Sequence, residues 1–369
     1  MKTTRRHAVL AALATATAGL AAMSGMTAAS ASAAFIGPLH TVTQLTSTVP
    51  ANGDVNPYGT AVVPHSTGDL HQGSVLVSNF NDKANVQGTG TTIVQVTPGG
   101  TLSLFAQIDP QLHGCPGGVG LTTALVVLRS GWVIVGSLPT RNGSVSGSGC
   151  LIVLDSHGMV RETFAGQGIN GPWDMTALDQ GNYADLFVTN VLNGTVAADG
   201  GTVDRGTVLR LVISSSPTAS PRLLGVTTIG SGFPEMLNSS ALVIGPTGVG
   251  LGSNGTLYVA DTLSNRIAAI PSAVSRGSDD GTGQTVSQGN HLSGELGLAI
   301  APNGDILTVN GGNGNIVEVT PGGAQVAVRQ LDSSGSPPGA GALFGLAVKP
   351  GADAVYFVDD ATNTLNLFH

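Results

Sequence analysis

Short apolar runs recur along this chain, separated by turns rich in Gly, Pro, Asn and Asp. Each unit has an apolar run, a turn, a second run ending in Val, an Asn/Asp-rich turn and a third run. Anchored on that valine, the pattern occurs six times: "VLVSN" around Val77, "VIVGS" around Val135, "LFVTN" around Val188, "LYVAD" around Val259, "ILTVN" around Val309 and "YFVDD" around Val358. The spacings are 58, 53, 71, 50 and 49 residues. Runs this short, bounded by turn residues and rich in Val, Ile and Thr, predict β-strands. Self-similarity at such a period predicts one supersecondary unit that buries its faces only by repetition.

The preceding runs are "GTAVV" at Gly59, "TTALVVL" at Thr122, "MTAL" at Met175, "GVGL" at Gly248, "GLAI" at Gly297 and "GLAV" at Gly345. The following runs begin at Thr92, Cys150, Thr207, Arg266, Asn315 and Thr364. Five units have room for a fourth, more polar run, such as "LSLFAQ" at Leu102 or "QVAVRQ" at Gln325. Six four-stranded antiparallel units with apolar inner and polar outer strands predict an all-β, six-bladed β-propeller. The sixth unit stops at His369 one strand short, whereas "LHTVTQLTSTV" (Leu39–Val49) is a strand without a unit. Pairing the two closes the ring and removes a free edge. The predicted division is an export signal over 1–33, a closing strand and linker over 34–55, and the propeller over 56–369.

Composition agrees. The chain has 54 Gly and only 10% charged residues, too few to wet the outer faces of amphipathic helices. The positive start (Lys2, Arg5, Arg6), the apolar stretch Ala8–Met23 and the small residues Ala31-Ser32-Ala33 predict export by the Sec or twin-arginine route, hence a secreted or extracytoplasmic protein. Removing those three cations takes the formal charge from −8 to −11. Such an acidic chain is a poor partner for nucleic acid. No stretch is long and apolar enough to predict a membrane span, and a monomer is expected. Two cysteines in an exported chain, Cys115 and Cys150, are expected to pair as a structural disulfide.

The pattern G-x-A-x-x-P-x-G…V-x-D/N…N-x-apolar, clearest at Gly297–Val319 and Gly248–Ile270, resembles NHL repeats. The same six-bladed architecture houses the SMP-30/gluconolactonase, streptogramin-lyase and peptidyl-amidoglycolate-lyase families. The resemblance covers roughly Asn56 to His369 and implies architecture more than chemistry. It also implies that ligands bind on the face holding the turns that open the inner strands. There the extra chain length is concentrated, in Asn79–Gly90, Leu138–Gly149 and Asn190–Gly206. Catalytic members of these families hold a divalent metal at the channel mouth, using Asn or Asp just before Gly in the opening turns. This chain carries Tyr58, Thr247, Leu296 and Phe344 at such positions.

Asn56, Asp174 and Glu295 remain as oxygen-bearing candidates for Ca²⁺ or another divalent cation. His113 and His291 are candidates for proton transfer. Tyr58, Trp173 and Phe344 could ring the mouth, either as an apolar ligand surface or as a plug sealing the channel. The Asn and Asp residues that recur after the second run are assigned to turns. "SDDGTG" (Ser278–Gly283) lacks EF-hand spacing, and no G-x-S-x-G, H-E-x-x-H, P-loop or paired C-x-x-C motif occurs. The preferred expectation is a secreted, non-catalytic scaffold that binds a protein, peptide or glycan through the loop-rich face. The alternative is a metal-dependent hydrolase or lyase of lactonase type. A quinone-dependent sugar dehydrogenase shares the architecture, but no basic, His-rich set is present for that cofactor.

Overall fold

A computed structural model describes residues 33–369. The expected export segment, apart from its last residue, lies outside the described residues. Six antiparallel sheets follow in chain order, and their innermost strands contact one another in a closed ring. These inner strands are Val55–Val62, Leu121–Val127, Pro172–Asp179, Pro246–Leu251, Glu295–Ile300 and Leu343–Val348. The second strands carry the repeated valines and are buried almost throughout, as in Val75–Asn81 and Ile306–Asn310. Outermost strands such as Leu102–Gln107 are largely exposed, burying there only Phe105 and Ala106. No α-helix occurs among the described residues; a single 3₁₀ turn spans Thr262–Ser264.

Ring closure follows the sequence expectation. Val42–Ser47 pairs antiparallel with Thr364–Phe368, from Val42 opposite Phe368 to Ser47 opposite Thr364. The residues before that strand add a clamp. Phe35 and Ile36 donate their backbone N–H groups to the buried Glu318 carboxylate at 2.6 and 2.8 Å. Arg329 donates to the Leu39 carbonyl at 3.1 Å. The N-terminal segment therefore joins blade five as well as blade six.

Two repeated features hold neighbouring blades together. In every blade the ladder between first and second strands contains a bulge near its opening end, for example between Pro57 and Thr60 or Glu295 and Leu298. An extra residue there bends the strand and re-aims its side chains. The glycine of the G-x-A motif lies at the bulge because the next blade leaves no room for a Cβ. A Cβ on Gly297 would lie 2.2 Å from the Phe344 carbonyl oxygen, and one on Gly345 would lie 2.2 Å from that of Tyr58. Hydroxyls of the neighbouring strands complete the seam. Ser78 donates to the Thr122 carbonyl at 2.7 Å, Thr189 to that of Thr247 at 2.6 Å, and Thr262 to that of Glu295 at 2.7 Å.

Blade three departs from the four-stranded expectation. Its third and fourth strands, Val203–Ser214 and Leu223–Asn238, run well beyond the sheet, and Leu242–Ile244 pairs back as a fifth strand. The composition of Asn190–Gly206 suggested loop throughout, but Val203–Gly206 is strand. Its bulged pairing with Phe233–Glu235 overrides the Gly and Asp content. Blade two's long turn likewise contains a small hairpin, Thr140–Arg141 with Ser144–Val145. Cys115 and Cys150 are joined, with Cα atoms 5.3 Å apart, tying the turn that opens blade two to that blade's third strand.

Candidate functional site

The bulges decide what fills the axis at the loop-rich face. In blades one, three, five and six the residues at this position are Tyr58, Trp173, Leu296 and Phe344. Tyr58 stacks on Phe344 with centroids 4.0 Å apart and on Phe80 at 4.5 Å; Trp173 lies 6.4 Å from Tyr58. Leu138, Val191, Ala241, Leu242 and Val243 belong to the same apolar cluster. Tyr58 and Trp173 are 1% exposed and Phe344 is 3% exposed. The three aromatics do converge, but as a buried stack of which only Phe344 reaches an adjoining recess. Burial pushes the Tyr58 hydroxyl's pKa well up, and the nearby Asp360 charge adds to the rise.

The seal comes from blade three. The extension's last turn, Asn238–Leu242, lies over the stack, and the Trp173 indole N–H donates to the Val243 carbonyl at 3.1 Å. Leu242 sits at φ 60°, a left-handed conformation where a hairpin of this length ordinarily carries Gly. That conformation costs an L-residue roughly 1–2 kcal/mol. Packing among the cluster residues holds it there.

The three long loops join into one wall. Thr140 donates its hydroxyl to the Gly88 carbonyl, linking blade two to blade one. Gln87 reaches the Ser239 carbonyl at 2.7 Å, linking blade one to the tip of the extension. Asn193 donates its backbone N–H to Glu235 at 2.8 Å, where burial pushes the carboxyl up to about 7. A recess of about 330 Å³ lies on one side of the tip, lined by Ala241, Ile244, Leu296 and Phe344, with Gly294 and Gly341 at its edge. A second of about 460 Å³, between the tip and the blade-two hairpin, is lined by Val145, Val196, Leu237 and Leu242. Behind the plug the axial channel continues as a cavity of about 400 Å³, lined by the remaining length of the six inner strands.

The oxygen-bearing candidates occupy three separate surroundings. Asp174 stands where blades one, four, five and six carry Gly, so its side chain must find room beside the channel. There it accepts the N–H groups of Met175 at 2.8 Å and Val249 at 3.1 Å, bridging blades three and four. Burial nevertheless pushes its carboxyl up to about 8, with those amides offsetting part of the effect. Glu295 is fully buried, and neither carboxylate oxygen has a partner. Burial pushes it up to about 8, and the Asp261 charge adds to the rise. Asp261 carries one unpartnered oxygen and pairs the other with Arg266 at 2.8 Å. Asn56 lies at φ 62° with its side-chain carbonyl unpartnered.

His113 and His291 are exposed in the turns that open blades two and five, and His291 is engaged only through its backbone. Among the described residues no group of three or more His, Cys, Asp or Glu is arranged to hold a metal ion. The sequence reading missed Asp261, Glu235 and the extension's tip. Asp261 falls among the recurring Asn and Asp residues that the pattern assigns to turns, yet it ends a strand and is buried. The other two lie in a stretch with no repeat register to place them.

No family model and no curated protein sequence matches the chain. Solved structures do. A streptogramin B lyase aligns at a TM-score of 0.54 and 14% identity, over 89% of this chain and 97% of that one. A gluconolactonase from Xanthomonas campestris aligns at 0.55 and 13%, over 89% and 88%. Regucalcin from Agrobacterium tumefaciens, a calcium-binding protein, aligns at 0.54 and 12%, over 87% and 92%. Among the described residues no helix is long and apolar enough to cross a membrane. The disulfide is compatible with an oxidising, extracytoplasmic compartment. At these identities the likeness is one of fold: the chain is a six-bladed β-propeller of the architecture that these lyases, lactonases and calcium-binding proteins share.

Proposed function

We propose that this protein is a secreted binding scaffold whose partner, a protein or peptide segment with apolar side chains, docks on the loop-rich face. The observation that carries this reading is the filled axis. Where a catalytic centre would need open polar groups, four apolar side chains and the blade-three tip occupy the mouth. What remains open on that face is a walled surface with two recesses, the smaller largely apolar and the larger mixed, with Val145, Val196, Leu237 and Leu242 beside Ser144, Asn238 and Ser239. Exposed Val86 and Val196 on the wall extend that apolar character. Rigid strands carrying long, interlocked loops suit recognition.

The test is selection of binding peptides from a random phage-displayed library against the intact protein. Ala340→Trp and Ser240→Trp place bulk in the smaller recess from exposed positions. Selected peptides should lose at least tenfold in affinity on these variants. Peptides indifferent to both substitutions would remove this face from consideration.

A second reading, the metal-dependent hydrolase or lyase, is favoured by one observation: Glu295 is buried with both oxygens unpartnered, near enough to Asp261 for that charge to raise its pKa. Buried carboxylates without partners are costly, and a hard divalent cation would satisfy them. Such an ion would supply Lewis-acid polarisation of a bound carbonyl. Glu295 and Asp261 would hold it, while Arg266 already neutralises part of the Asp261 charge. Calcium titration followed by thermal melting tests this: a raised midpoint that disappears in Glu295→Gln supports it, and an unchanged midpoint in the parent refutes it.

A further inference from the structure

We propose that the Asn238–Ile244 tip of blade three is a displaceable cap over a binding site for one aromatic side chain, with Tyr58, Trp173 and Phe344 as its floor. The proposal rests on the scaffold reading and names the group that such a partner would insert.

Four observations point to it. First, the tip is a thin strap between voids. The smaller recess touches it through Asn238, Ser240, Ala241 and Ile244, and the larger through Asn238, Ser239 and Leu242. It therefore has space on both flanks into which it can move. Second, few polar contacts hold it down. The Ser240 and Ala241 amides bond only to Asn238, within the tip itself. Its bonds to the other loops and the floor are Gln87 to the Ser239 carbonyl and the Trp173 indole to the Val243 carbonyl. Third, Leu242 adopts a left-handed conformation at the end of the turn, paired with Asn238 and packed in the floor's apolar cluster. Backbone strain of this kind is released when the segment lifts.

Fourth, the floor specifies the ligand. Lifting the tip uncovers stacked rings and frees one indole N–H. The surrounding side chains Leu138, Val191 and Leu296 are apolar, so the floor offers ring faces with few polar groups, the indole N–H and the Tyr58 hydroxyl among them. A phenyl or phenol ring could take the place of Leu242, and a neighbouring peptide carbonyl could replace that of Val243 on the indole. Offset-stacked ring pairs gain more than their buried area alone supplies.

The experiment replaces Asn238–Leu242 by Asn-Gly, a two-residue turn suited to joining Leu237 to Val243. Probes are Ac-Gly-Phe-Gly-amide and Ac-Gly-Leu-Gly-amide, titrated by ligand-observed NMR against the intact and trimmed proteins. Acrylamide quenching of Trp173 is read in a Trp132→Phe background, since these are the chain's two tryptophans. In the trimmed protein quenching should rise several-fold. The Phe peptide should bind at least tenfold tighter than to the intact protein, because the competing closed state is gone. The Leu peptide should gain less than threefold.

Unchanged quenching would show that the tip is not the cap. Raised quenching with equal gains for both peptides would show that there is no ring site. Should the trimmed protein not fold, hydrogen exchange of the Trp173 indole N–H in the intact chain decides. Exchange through local opening, insensitive to low denaturant, supports the cap, and exchange only by global unfolding refutes it. Phage-selected peptides that still depend on Ala340→Trp would leave the scaffold reading standing in either case.

Discussion

Gly297→Ala is the most direct test of how the blades are joined. Gly297 has no positive φ, so alanine is not excluded there by backbone conformation. The obstacle is the next blade: the added Cβ would sit 2.2 Å from the Phe344 carbonyl oxygen and 2.8 Å from Leu346 Cδ2. A carbon approaches a carbonyl oxygen comfortably at roughly 3.3 Å, so one blade must shift by about an ångström. The atom in the way is backbone, and the residue that owns it, Phe344, is stacked in the axial plug. Overpacking of this kind typically costs about 1–3 kcal/mol. The closed ring gives little room to relax, so the expected loss is about 3 kcal/mol.

The assay is chemical unfolding at equilibrium, comparing midpoints at constant slope. The controls are Gly225→Ala and Gly277→Ala, where an added Cβ meets nothing within 4 Å and φ is not positive. These should stay within about 0.5 kcal/mol of the parent or gain slightly from reduced chain entropy. If Gly297→Ala is as stable as either control, the steric account of the G-x-A repeat is wrong.

Three further predictions follow from single features. Asp174 has a folded pKa of about 8, raised by burial, so the native state holds its proton more tightly than the unfolded chain. Its contribution is fully present below the unfolded pKa, near 4, and is lost as pH rises to about 8. Asp174→Asn should flatten melting temperature against pH over that window, and an unaltered slope would refute the assignment. Reducing the Cys115–Cys150 disulfide, with a sequence separation of 35, should cost about 4 kcal/mol by loop entropy, measured as the shift in denaturation midpoint with reductant. Deleting residues 34–49 removes the strand that completes blade six and the clamp on Glu318, so calorimetry should show loss of a single cooperative transition. A truncated protein that melts like the parent would overturn the closure.

The sequence by itself determined the repeat, and the repeat determined the ring. Strand order, the closing role of Leu39–Val49 and the disulfide were legible because each is a local pattern repeated at a period, or an arithmetic of unpaired elements. Only the tertiary structure decided what the mouth is. Whether Tyr58, Trp173 and Phe344 line an open surface or fill a plug depends on the distance between blades and on what lies above them. That covering is Leu242 and Val243, from a hairpin with no counterpart in the other units and hence no register to predict it. Glu295 shows the same limit. Its place at a strand opening was readable, but its full burial and the nearby charge of Asp261 from the neighbouring blade arise only where the blades meet. Periodicity reports contacts within a repeating unit; the axis is made where six units meet, and there the exceptions to the repeat decide.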